Sequence, residues 1–206
     1  FSSRSLLLAA GLAIAATAGQ AGTFSTLPGQ DVHGPWGSDN FVSIDDTNDG
    51  VDRNVGAGAF RLRDDNDILG NGALAQFTAF CVDIFNTLNL SNSYSVTTDP
   101  FTGTGQPGTL DTGQKSRVGA LFNNVFAGLD LTDADQSVGF QLALWEVLYE
   151  DTVTTPYSLN SSDNGDFFAG NITSGARTNA NNYVGLLGTD DGQTDYNVIW
   201  LQADGG

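Results

Sequence analysis

Three observations predict an α+β fold, with a β-rich, barrel-like body and two or three inserted helices. Strand-like apolar runs gather before residue 112 and return at the chain's end, while helical spacing is confined to the stretch between. Turn formers are abundant, Gly alone numbering 26, which suits strands joined by loops. With 206 residues, 13 Phe and 40% apolar content, the chain can bury the core of one domain. That domain, 22–206, is divisible into a β-rich part (22–112 plus 196–206) and a helical part (113–195).

Taken in order, Phe41–Ile44 reads as a short strand, Ala57–Arg63 as an alternating strand, and DDNDILGNG after it as a turn. Leu74–Phe85 is a long β-prone run, and Tyr94–Thr98 is a further strand. The Gly/Pro/Thr-rich stretch Asp99–Thr112 is a connection. Gln114–Leu129 places Val118, Leu121, Phe122, Val125 and Phe126 at helical spacing. Thr132 with Asp135 approximates a capping box for a second helix, Asp135–Glu150. Thr152–Gly175 reads as loop, Ala176–Leu187 as a third helix, and Tyr196–Gln202 as a closing strand.

The second helix has a glutamine at the centre of its apolar stripe. At 100° per residue, Leu148, Trp145, Val138, Leu144 and Tyr149 fall within about 80° of Gln141. Gly139, Ala143, Glu146 and Glu150 fall on the other side, which reads as the solvent side. A glutamine in that position is costly unless its amide has a partner.

Seven Lys+Arg against 24 Asp+Glu give a formal net charge of −17, which argues against nucleic acid or anionic lipid as partners of the bulk surface. Arg4 followed by LLLAAGLAIAATAG, with small residues at Gly19 and Ala21, reads as a secretory leader over residues 1–21, truncated at its N-terminus. Cleavage is expected after Ala21, with Ala18 the second choice. No other segment could span a bilayer, so membrane attachment is expected only through a C-terminal anchor beyond this sequence. In a secreted chain the single cysteine, Cys81, is a buried small hydrophobe, an intermolecular disulfide, or a masked reactive group.

Other candidates are weaker. Asp45, Asp49 and Gly50 resemble half of a calcium loop, but Gly56 stands where the bidentate Glu belongs; a solvated turn is the better reading, and no cofactor is expected. His33, the one histidine, sits in a Pro/Gly loop with no supporting motif. No nucleophile-elbow, zinc-protease, P-loop or CxxC pattern occurs. The many carboxylates leave a glycosidase-type pair open without singling one out. Cys81 and Gln141 admit a distinct chemistry. A thiolate that attacks a glutamine amide expels ammonia and leaves a thioester, given contact and a pocket that excludes water. Phe80, Phe140 and Trp145 could wall such a pocket. The plain alternative is Cys81 packed as a hydrophobe and Gln141 bonded to a strand edge.

FCVD and the later FQLALWE resemble the two signature segments of bacterial thioester domains, modules of surface adhesins. Cys81, Val82 and Asp83 match the first segment; Gln141, Ala143, Leu144 and Trp145 match the second. AFCVD and FQLALWEVLYED are also similar to segments of PEP-CTERM-type exported proteins. The resemblance covers roughly Ala57 to Leu187 and departs at Phe140, where the adhesin domains commonly carry Thr or Ser. It implies a Cys81–Gln141 thioester that captures an amine of a surface protein or matrix component, on a secreted or cell-surface protein. That chemistry consumes itself and is not enzymatic. A non-reactive structural or matrix protein is the alternative, and a hydrolase of extracellular polysaccharide the third reading.

Overall fold

The computed structural model describes residues 5–10, 21–30, 41–46, 53–84, 88–98, 109–150, 157–159, 167–189 and 196–204. In chain order the strands are β1 (Ser5–Ala10), β2 (Ala21–Gly22), β3 (Phe24–Thr26), β4 (Phe41–Asp46), β5 (Arg53–Gly56), β6 (Phe60–Asp64), β7 (Gln76–Cys81) and β8 (Tyr94–Thr97). Helices α1 (Thr112–Val125) and α2 (Ala134–Tyr149), strand β9 (Phe167–Gly170), helix α3 (Ser174–Val184) and strand β10 (Asn197–Ala203) complete the order. The fold is α+β with antiparallel strands and three helices. It divides into two compact units: Phe1–Gly34, Phe60–Thr112 and Thr194–Gly206 form one, and Pro35–Ala59 with Gly113–Gln193 the other.

The first unit is a seven-stranded sheet in the order β2-β8-β10-β1-β7-β6-β3. Its edge strands β2 and β3 are separated in the chain only by Thr23, so the sheet rolls until its two edges meet at one extended segment. This is barrel-like without being a closed barrel. Asn66 Oδ1 holds the junction, accepting from the Thr23 backbone N–H at 2.7 Å and from the Thr23 hydroxyl at 2.9 Å. Alternation along β6 turns Phe60, Leu62 and Asp64 inward, leaving Arg61 and Arg63 partly exposed. The buried Asp64 carboxylate accepts from the N–H groups of Asn66, Ile68 and Leu69 at 3.2, 3.2 and 2.8 Å. It thereby shapes the expected turn and draws Ile68 and Leu69 into a core with Phe24, Leu62, Phe77 and Tyr94. β1 lies inside the segment read as a leader; it pairs with β10 over Ser5–Ala10 and with β7 over Leu6–Ala9.

The second unit combines the sheet β5-β4-β9 with the three helices. The sequence reading grouped residues 35–59 with the strands of the β-rich part; β4 instead pairs with β9 beside the helices. β9 itself arises in the stretch read as loop, where Phe167 and Ala169 are buried and Phe168 is exposed. Helix α2 differs most from expectation. Ser137 to Tyr149 are buried without interruption, and Glu150 is 7% exposed. The side read as facing solvent is therefore interior, as happens when a helix is covered on all sides. α3 covers the Gly139 side: a methyl at Gly139 would stand 2.7 Å from Asn179 Cβ and 3.0 Å from the Ala176 carbonyl oxygen. α1 covers the Phe140 side, with Phe122 and Phe140 edge-to-face at 5.0 Å. The N-cap also falls one residue later than the reading. Asp133 accepts from the N–H groups of Asp135 and Gln136, while Thr132 donates to Asp130.

Two polar side chains on α2 and that of its C-cap, Glu150, fasten other segments to it. Ser137 Oγ accepts the Ala59 N–H at 2.9 Å, Glu146 Oε1 the Ser158 N–H at 2.6 Å, and Glu150 Oε2 the Phe167 N–H at 3.0 Å. Gly58, at φ +124°, permits the first, because a Cβ there would lie 3.0 Å from Ser137 Oγ.

Gly139→Ala should destabilise the protein by about 1–3 kcal/mol despite alanine's better helix propensity, since the methyl must displace α3 backbone. Urea unfolding measures this; a neutral or stabilising result would mean that the α2–α3 contact is looser than described.

Candidate functional site

Cys81 is the last residue of β7 and belongs to the first unit. Alternation along β7 turns Phe77, Ala79 and Cys81 to one face, where Cys81 packs against the core of that unit. Phe80, fully buried, therefore takes the opposite face and does not share a side of the strand with the cysteine it was expected to wall. The Cys81 thiol donates to the Asp83 carbonyl oxygen at 3.2 Å. Burial first, and the Asp83 carboxylate second, push its pKa up to about 12. A thiol so held stays protonated near neutrality and is a weak nucleophile until its surroundings change.

Gln141 belongs to the second unit, at the middle of α2, and is wholly buried. Its helix neighbours separate by phase. Phe140 joins an aromatic group with Phe122, Phe126 and Tyr183, at ring separations of 5.0, 5.9 and 6.4 Å. Trp145 faces β9, its ring 6.5 Å from that of Phe167. Trp145 is 1% exposed, and its indole Nε1 is buried with no hydrogen-bond partner among the described residues. Oε1 of Glu150 shares that condition. The amphipathic pattern located Trp145 in the interior but carried no information about its polar edge.

The remaining candidates are quickly placed. Asp45 lies on β4 in register with Phe168; Asp49, Gly50 and His33 lie outside the described residues. Among the described residues, no three His, Cys, Asp or Glu side chains gather as metal ligands would, and no helix is long and apolar enough to cross a membrane. Sequence reasoning missed a cavity of about 200 Å³ at the start of α2, between Phe41, Asp135, Val138, Ile172 and Thr173. The Asp135 carboxylate accepts the Thr173 hydroxyl there, and Phe41 is 57% exposed.

For the chain with Cys81 as a thiol, stability should depend on alkaline pH with a defined sign. An unfolded cysteine titrates near 8.5, whereas the folded one titrates at about 12. Between these values the unfolded chain gives up a proton that the folded chain keeps, so stability falls as pH rises from about 9 towards 12. Urea titrations of the native chain and Cys81→Ala across that range measure the difference; parallel profiles would contradict the burial of the sulfur.

No protein-family model matches the chain, and no curated protein or solved structure matches it.

Proposed function

We propose that this chain is an exported, cell-surface or extracellular binding module that attaches to amines through a thioester between Cys81 and Gln141. The observation that carries the reading is Gln141 itself, an amide fully buried at the middle of the most enclosed helix. The chain's single thiol, on β7, is partly buried against its unit's core, and its raised pKa holds it protonated. In the reaction Cys81 Sγ adds to Gln141 Cδ, the Cδ–Nε2 bond breaks, and the thiol proton leaves with the nitrogen as ammonia. The product contains neither the thiol nor the buried amide nitrogen. An amine on a partner then attacks Cδ, forms a stable amide and returns Cys81 as a thiol. A leaving thiolate with so high a pKa departs slowly, which protects the bond from water and reserves it for amines held against it. The leader over residues 1–21 is removed on export, and the partner is an amine-bearing surface protein or matrix component. A net charge of −17 favours a cationic, lysine-bearing surface.

A second reading is a non-reactive structural or matrix protein on the same fold. The packing of Cys81 against its unit's core, and its elevated pKa, favour it. Glu146 and Glu150, the buried acids of α2, are each tied to a backbone N–H, a structural use that lends nothing to the hydrolase reading.

Intact-mass measurement on fresh, amine-free protein separates the two. The thioester reading expects a mass lower than the sequence by one ammonia. Methylamine should then add to Gln141 and expose one thiol at Cys81, and Cys81→Ala or Gln141→Ala should abolish both changes. An unmodified mass would defeat the thioester and leave the structural reading.

A further inference from the structure

We propose that the indole N–H of Trp145 is the hydrogen-bond donor that stabilises the oxyanion on Gln141 Oε1 while the thioester forms and opens; this rests on the thioester reading above. The starting point is an orphan. Trp145 Nε1 is buried with no partner among the described residues, on a side chain 1% exposed. Such a donor is costly relative to a satisfied one, and native structures retain few of them. A group of that kind points to something that uses it. Other polar side chains of α2 have structural duties, as Ser137, Glu146 and Glu150 each accept a backbone N–H. Trp145 Nε1 has no such duty.

Position on the helix says what it could serve. Trp145 follows Gln141 by four residues, so it lies about 40° round the axis and about 6 Å along it. Long side chains on a helix lean back towards its N-terminus, over the residue three or four positions earlier. That tendency directs Trp145 towards the turn that carries Gln141, with its ring also 6.5 Å from that of Phe167 on β9. Both belong to the same unit, so the pairing depends on one rigid helix.

The chemistry supplies the need. When Sγ or an amine adds to Gln141 Cδ, the carbonyl electron pair moves onto Oε1. That oxyanion collapses by expelling ammonia as the thioester forms, or the Cys81 thiolate as it opens. With a thiol whose pKa lies at about 12, nucleophile and leaving group both lack the help of a low pKa, and the barrier falls mainly by stabilising the oxygen. A preorganised donor in a dry site does this most strongly when it is not already spent on a ground-state partner.

The test replaces Trp145 in the full chain with its benzothienyl isostere, in which sulfur stands for N–H, alongside Trp145→Phe. Intact mass follows ammonia loss with time, then methylamine addition; thermal unfolding is measured in parallel. The inference expects both reactions to slow about 10- to 1,000-fold in the isostere, with Tm unchanged or raised because an unsatisfied donor has been removed. Equal rates in isostere and native chain would overturn it, as would a slowing matched by a loss of Tm, the mark of a packing role. Trp145→Phe keeps the claim open to refutation if the isostere cannot be incorporated: rates equal to native would again overturn it. If the native chain itself never loses ammonia, the thioester reading fails and the inference falls with it, an outcome distinct from equal rates.

Discussion

The enclosure of α2 is the constraint on which the second unit depends. A helix buried on every side has no solvent to satisfy its polar side chains, so a polar group there depends on partners within the fold. Ser137 takes the Ala59 N–H, Glu146 that of Ser158, and Glu150 that of Phe167. These bonds tie Ala59, Ser158 and the start of β9 to the helix. The small residues matter as much, since Gly139 lets α3 approach to backbone contact and Gly58 lets the 57–59 segment approach Ser137. Gln141 sits at the centre of this arrangement, fully buried, at the position where a solvated amide is least available as an explanation.

The first unit answers to a different constraint, the closing of a rolled sheet. The segment Ala21–Thr26 serves both edges, and the inward Asp64 ties the 66–69 backbone beneath it. β1 occupies the sheet's centre, between β10 and β7, with Leu6 in register with Cys81 and Leu201.

Much of this architecture was legible because local signals and tertiary environment agree. The alternation of Ala57–Arg63 and the helical spacing of Val118, Leu121, Phe122, Val125 and Phe126 each predicted an element that forms, β6 with Phe60 and Leu62 buried and α1 with Val118, Leu121, Phe122 and Val125 buried. Misread positions are those where the environment overrides the local pattern. Glu146 and Glu150 marked a solvent side by charge, yet backbone N–H groups arriving from residues 158 and 167 make burial tolerable; nothing within the helix announces those distant donors. β9 hid because a four-residue strand amid turn formers has too little periodicity to register. The expected cap at Thr132 lost to Asp133, since Asp130 engages the threonine first. Phe80 was read as part of the wall around Cys81, but a strand's period of two turns these neighbours to opposite faces. Of the candidate site, residue identities were legible and a Trp145 N–H without a partner among the described residues was not, because satisfaction of a polar edge is decided by what packs around it.

Two groups therefore stand at the centre of the account: a partly buried thiol held protonated on β7 and an amide enclosed in α2. A protected reactive bond differs from a quiet core in the bond itself. The direct measurement is a high-resolution crystal structure of protein purified without amines, read at Cys81 Sγ and Gln141 Cδ. The account expects continuous density between the two atoms at covalent length, with no density for Gln141 Nε2. Separate side chains at or beyond van der Waals distance, about 3.5 Å or more, with the amide intact would contradict it.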